Sequence, residues 1–123
     1  MRRTILVVDD VKMILEVMPS ILKLAFPKPE FDIVVLVAED GAKALQIFGR
    51  EQLDVILSDV EMPVVDGLEL LRKIRETSNV PFFLLTGSYL DYEKDNATLN
   101  LATDVIKKPV YVEEIKEKVG KVL

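Results

Sequence analysis

Five apolar, β-rich runs alternate along this chain with five stretches of helical spacing, and short links join them. Strand and helix in strict alternation mean a parallel sheet wrapped by helices, with right-handed crossovers. The predicted strands cover residues 5–8, 31–38, 53–58, 81–85 and 104–107. The predicted helices cover 11–26, 42–50, 67–76, 89–101 and 112–123. A length of 123 residues suits one domain with one core, residues 1–123. Val55, Ile56 and Leu57 form a short apolar run of the kind buried on both faces.

Local signals sharpen this pattern. Val11, Ile14, Met18, Ile21, Leu22 and Ala25 recur at helical spacing and form the expected inner stripe of the first helix. Pro19 interrupts that helix and predicts a kink or local break near residues 16–18. Asp40 or Glu39 is placed to cap the second helix. Glu69 and Lys73 stand four apart on the third and predict a supporting ion pair. Residues 89–101 are polar, with Leu99 and Leu101 as the firm anchors, and predict a short, weakly held helix.

The residue inventory excludes several chemistries. There is no cysteine and no histidine, which removes thiolate chemistry, Ser-His-Asp catalysis and imidazole metal sites. Any metal held here needs oxygen ligands, which points to Mg²⁺ or a similar hard cation. With 16 basic and 21 acidic residues the net charge is −5, and no basic run appears, so direct nucleic-acid binding by this chain is not expected. No apolar run is long enough to span a bilayer, and the start of the chain lacks a signal peptide's length and cleavage site. A cytoplasmic location is expected.

A parallel sheet brings its strand ends together. The first, third, fourth and fifth strands run out at Asp9-Asp10, Asp59, Thr86 and Lys108. The carboxyl edge is where open α/β sheets place their ligands. Three carboxylates in one place repel, and a divalent cation reverses that penalty. Lys108 adds a compact positive charge, Thr86 a hydroxyl, and Gly87-Ser88 backbone N–H groups. Together they match the oxygens of a phosphoryl group. Pro63 and Asp66-Gly67 mark the loop and turn that follow Asp59.

Asp9-Asp10, Ser58-Asp59, Met62-Pro63-Val64-Val65-Asp66-Gly67, Leu85-Thr86-Gly87 and Lys107-Lys108-Pro109 resemble, in order and over essentially the whole chain, the receiver domain of two-component response regulators. The resemblance implies a flavodoxin-like (βα)5 three-layer sandwich with a five-stranded parallel sheet in the order 2-1-3-4-5. It implies that Asp59 accepts a phosphoryl group from a sensor histidine kinase, a phosphotransfer protein or a small acyl-phosphate donor. Asp10 would hold Mg²⁺ directly and Asp9 mainly through water. Asp59 and the Glu61 backbone carbonyl would complete the protein ligands. Thr86 would be the switch hydroxyl. Lys108 would bridge Asp59 at rest and the phosphoryl group afterwards, with a cis Lys108-Pro109 bond. Glu61 and Ser88 occupy the positions that tune phosphoryl lifetime. Such a domain is a signalling module rather than an enzyme, promoting only its own phosphorylation and dephosphorylation. Its partner downstream would be an output protein or an output domain absent from this sequence.

Two departures stand out. Val105 occupies the place of the usual switch aromatic, so an aromatic rotation there is impossible. Output would then depend on the Thr86 loop and residues 89–101, where Tyr89 and Tyr92 lie. The turn before the last strand reads Leu101-Ala102-Thr103 instead of the usual glycine-alanine step. Among rival readings, a flavodoxin-like FMN carrier needs a phosphate loop after the first strand, where Asp9-Asp10 would repel phosphate. A haloacid-dehalogenase-type phosphatase needs a second Asp two residues after its nucleophile, which Asp59-Val60-Glu61 does not supply. A degenerate receiver that binds partners without phosphorylation is the third rival.

Overall fold

The computed structural model describes residues 1–87 and 95–123. Its elements are β1 (Arg2–Val8), α1 (Lys12–Ala25), β2 (Asp32–Ala38), α2 (Gly41–Arg50), β3 (Val55–Asp59), α3 (Gly67–Arg75), β4 (Phe82–Thr86), α4 (Asn96–Leu99), β5 (Asp104–Lys107) and α5 (Val112–Gly120). All strand pairs are parallel, in the order β2-β1-β3-β4-β5. This is the expected three-layer sandwich.

Alternation along each central strand divides the core in two. Ile5, Val7, Leu57, Phe83 and Leu85 face the side covered by α1 and α5, with Met18, Leu22, Ile115 and Val119. Leu6, Val8, Ile56, Phe82 and Leu84 face α2 and α3, with Ala44, Leu70, Leu71 and Ile74. Successive strand side chains point to opposite faces, so a sheet covered twice needs near-continuous apolar strands. Each such side chain, fully buried, contributes about 1.5–3 kcal/mol.

Several local expectations change. β1 starts three residues earlier than predicted, because Arg2, Arg3 and Thr4 pair with β2 and Thr4 N–H donates to the Asp54 carboxylate across 2.7 Å. Helix α1 runs unbroken through Pro19, so the expected break does not occur. Its buried Met18, Leu22 and Ala25 hold it against the sheet. Val11 lies at the N-cap of α1 and is exposed, outside the predicted inner stripe. The Asp40 carboxylate caps α2 through Lys43 N–H. Glu69 and Lys73 form no ion pair within 4.0 Å; exposed pairs of this spacing contribute only tenths of a kcal/mol.

Residues 88–94, and with them Ser88, Tyr89, Tyr92 and the start of the predicted fourth helix, lie outside the described residues. Arg72 of α3 holds the four-residue α4, and Arg75 holds the segments that follow α3 and α4. Arg72 donates to Thr98 Oγ1, and Arg75 donates to the carbonyls of Leu101, Ser78 and Val80. Burial lowers the Arg75 pKa from its ordinary value.

Candidate functional site

Strand register assembles the acidic group. Val8 lies opposite Ser58, so Asp9 and Asp59 leave adjacent strands side by side. The next step of β3 is fixed from both sides: Val60 N–H donates to Leu85 C=O across 3.1 Å, and Gly67 N–H to Val60 C=O across 2.8 Å. One oxygen from each of Asp9, Asp10 and Asp59 lies within 4.8 Å of the others. Asp9 and Asp59 are buried and Asp10 is exposed. Beside them an open depression of about 490 Å³ is lined by Asp10, Val60, Glu61, Met62, Pro63 and Asp66.

Asp9 is held at both oxygens. One accepts from Val11 N–H across 2.9 Å, and the other from the Lys108 ammonium, also across 2.9 Å. Lys108 Nζ stands 3.3 Å from Asp59 Oδ1. The expected Lys108–Asp59 bridge is therefore present but secondary to a bond with Asp9 that residue spacing does not reveal. Lys108 reaches this point because its own N–H donates to Thr86 C=O, and its bond to Pro109 is cis, as expected. Thr86 is buried at the end of β4. The sheet thus brings Asp9, Asp10, Asp59, Thr86 and Lys108 to one edge, with exposed Glu61 on the adjoining loop.

Electrostatics follow from that crowding. Burial raises the Asp59 pKa first and repulsion from Asp9 raises it further, against weaker opposition from Lys108 and Val60 N–H. For Lys108, burial alone would lower the pKa. Its hydrogen bond to Asp9 and the attraction of Asp59 and Asp9 outweigh burial, and the net shift is upward. Both partners of the Lys108–Asp59 pair therefore move up: one ammonium does not neutralise two buried carboxylates. With Asp10 the site sets three carboxylates against one ammonium, and oxygen donors with two uncompensated negative charges suit a hard divalent cation.

A pH dependence comes with this. The folded Asp59 carboxyl holds its proton more tightly than the unfolded one, so the fold binds more protons just above the ordinary aspartate range. Stability of the metal-free protein declines as pH rises through that window. Asp59→Asn removes the decline. At pH 7 it is expected to stabilise the metal-free fold, read as a higher urea midpoint than wild type, with the difference vanishing at acid pH.

A parallel sheet in the order 2-1-3-4-5, with three carboxylates and an ammonium at its carboxyl edge, defines a doubly wound α/β protein whose site suits a metal-assisted anion. The response regulator receiver domain model matches residues 5–120, and the chain belongs to that family. The transcriptional regulatory protein YrkP of Bacillus subtilis, described as uncharacterized, is 36% identical over 85 residues, 69% of this chain and 36% of that protein. The probable transcriptional regulator ycf27 of Guillardia theta is 32% identical over 124 residues, 99% of this chain and 46% of that protein. The chain thus spans less than half the length of either. The response regulator TrrA of Thermotoga maritima, solved in complex with Mg²⁺-BeF, shares 33% identity at a TM-score of 0.84, covering 98% of this chain and 99% of that one. Receiver domains of two-component systems are signalling domains, and they bind Mg²⁺ at an acidic pocket that the Asp9, Asp10 and Asp59 cluster fits. Among the described residues no helix is long and apolar enough to cross a membrane.

Proposed function

We propose that residues 1–123 form a receiver unit that takes a phosphoryl group onto Asp59 and relays its presence to a partner. The observation that carries this is the convergence of Asp9, Asp10 and Asp59 within 4.8 Å beside the Lys108 ammonium. The donor is a phosphohistidine protein, a sensor kinase or phosphotransfer protein, or a small acyl phosphate.

In the reaction an Asp59 carboxylate oxygen attacks phosphorus in line. The O–P bond forms as the donor's N–P or O–P bond breaks, and the imidazole, taking a proton from solvent, or the carboxylate departs. Mg²⁺, held by Asp10, Asp59 and the Glu61 carbonyl, with Asp9 acting mainly through water, would supply charge neutralisation for the phosphoryl oxygens. Asp9, with both oxygens already engaged, suits that indirect role, and exposed Asp10 suits the direct one. Lys108 is close enough to both buried carboxylates to move its ammonium onto an arriving phosphoryl oxygen. Thr86 turns its hydroxyl toward the same group and draws the following loop with it, which shifts the population of the α4–β5–α5 face. Glu61 affects donor entry or hydrolysis. The mixed anhydride hydrolyses, so the signal limits itself. Output passes to a separate protein or to a domain outside this sequence, and donors made from ATP place this work in the cytoplasm.

Incubation with Mg²⁺ and acetyl phosphate, read by intact mass, tests the assignment. A phosphoryl adduct is expected on the wild type and none on Asp59→Asn. The rival reading is a receiver that binds partners without phosphorylation. Val105 favours it: no aromatic is there to rotate, and its C=O is tied to Lys118 Nζ across 2.8 Å. Absence of any adduct on the wild type would select that rival.

A further inference from the structure

The two edges of the sheet are finished differently. β5, at one edge, has four residues and begins and ends on a charge, Asp104 and Lys107. Side chains of the same protomer also occupy its outer edge. Val105 N–H donates to Asp104 Oδ1 across 2.7 Å, and Lys118 Nζ donates to Val105 C=O across 2.8 Å. Short length and charge are the usual protection of a strand edge. β2, at the other edge, has seven residues, and Asp32 at its start is the one charge among them. Asp32 N–H donates to Met1 C=O, and Ala38 C=O accepts from Asp9 N–H. The even-numbered residues of β2 therefore turn their backbone groups toward β1. Ile33, Val35 and Val37 turn theirs outward, where no partner meets them among the described residues. Ile33 and Val35 pack on the α1 side of the sheet, and Val37 shares that side. Val37 is 43% exposed. A strand laid along this edge would bond the outward groups and cover Val37.

Charges beside the edge point to the strand that fits. A depression of about 250 Å³ at the start of β2 is lined by Lys23, Phe26, Lys28, Phe31, Asp32 and Ile33. Two ammoniums against one carboxylate make that end basic. Glu16 stands two helical turns before Lys23 and so shares its face of α1. Helix α1 runs back along β2, which puts Glu16 toward the carboxyl end of the strand. Glu39, also exposed, follows β2 at that end. The edge thus has a basic end and an acidic end, and a second copy turned end for end matches it.

We propose that the β2 edge joins two copies of this chain by antiparallel β2–β2 pairing about a two-fold axis at Val35. Val35 lies opposite Val35 of the second copy, and Ile33 opposite Val37 of the second copy. All the outward residues then bond, and Val37 is covered by Ile33. Asp32 falls opposite Ala38, so no like charges face each other within the strands. Lys23 comes alongside Glu16 of the second copy. Parallel pairing would set like ends together. Asp59 takes no part, so the inference stands apart from the phosphoacceptor reading.

Sedimentation from about 10 μM to about 1 mM tests the pairing, since so small an interface is expected to have a dissociation constant on the order of 10⁻⁵ to 10⁻⁴ M. The mass is expected to rise from 13.9 kDa toward twice that value. Amide exchange over the same range is expected to slow at Ile33, Val35 and Val37. Val37→Lys puts a charge on the pairing surface at an exposed position. It is expected to raise the dissociation constant at least about tenfold while the urea midpoint holds. Lys23→Glu is expected to weaken the pair at least about threefold, and adding Glu16→Lys to restore it. A wild type that stays monomeric throughout overturns the proposal and leaves the edge to a strand of another protein. A dimer that Val37→Lys leaves intact, or that slows exchange elsewhere but not in β2, overturns it too, because another face then carries the contact. A double variant no tighter than Lys23→Glu overturns the antiparallel arrangement.

Discussion

Gly67→Ala is expected to destabilise the protein by about 3–5 kcal/mol, with a urea midpoint far below wild type. An added Cβ would lie 2.0 Å from the Asp59 carbonyl oxygen and 2.9 Å from both the Asp59 carbonyl carbon and Val60 Cα. All three are backbone atoms, and none can swing aside as a side chain would. β3 is fixed on both flanks by β1 and β4, so the strand does not yield. The helix must yield instead. Lifting α3 strains the Gly67 N–H bond to Val60 and the Asp66 cap, and loosens buried Leu68, Leu70, Leu71 and Ile74. The same displacement disturbs the backbone that carries Asp59. Acetyl phosphate labelling of whatever variant stays folded is therefore expected to drop as well. A midpoint within about 1 kcal/mol of wild type would show that α3 does not depend on this close approach.

Lys108→Ala is the second large effect. The ammonium bonds Asp9 at 2.9 Å and stands 3.3 Å from Asp59, and both carboxylates are buried. Removing one partner of such a cluster leaves uncompensated buried charge, a loss of about 3–5 kcal/mol for fully buried pairs. The Lys108 side chain is 22% exposed, and partial hydration reduces the expected loss at pH 7 to about 2–4 kcal/mol.

The pH dependence gives this prediction a sign on each side. In wild type the Lys108 pKa is raised, so its contribution is complete below the ordinary lysine value and is lost as pH rises through the folded one. The variant lacks that alkaline loss. On the acid side, Asp59 already titrates above its ordinary value, and without Lys108 it moves higher still. The deficit of the variant therefore shrinks as pH falls and the carboxyls take protons. Millimolar Mg²⁺ is expected to restore part of the stability at pH 7, because a ligand that binds only the folded state stabilises it by mass action. Parallel urea titrations at pH 5, 7 and 11, with Mg²⁺ added at pH 7, check all three points. A pH-independent deficit would mean that Lys108 acts through packing rather than charge.

Much of this protein is legible in its residues. Short apolar runs alternating with amphipathic stretches permit little besides a parallel sheet between two helical layers. Once the strands are parallel, Asp9, Asp10, Asp59, Thr86 and Lys108 share an edge with no further information, because strand direction alone decides where each strand ends. The cap of α2 is readable as Asp40 or Glu39, because capping is a local matter of one side chain and the N–H three residues on, and Asp40 fills it; Asp66 reads as a turn residue, and the structure shows that it also caps α3.

What the residues do not reveal depends on partners distant in the chain. The extra length of β1 comes from β2 and Asp54. The continuity of α1 through Pro19 rests on packing that local propensity does not describe. Lys108 bonds Asp9 more closely than Asp59, a matter of tenths of an ångström that only the assembled strands fix. The need for glycine at position 67 appears only when α3 is laid on the end of β3, and the strained turn at Val64 only when Val65 is pressed against Gly41. Sequence determines which groups meet, since that follows from local periodicity and chain direction. Tertiary structure decides how closely they meet and at what strain, since those depend on atoms that many residues separate.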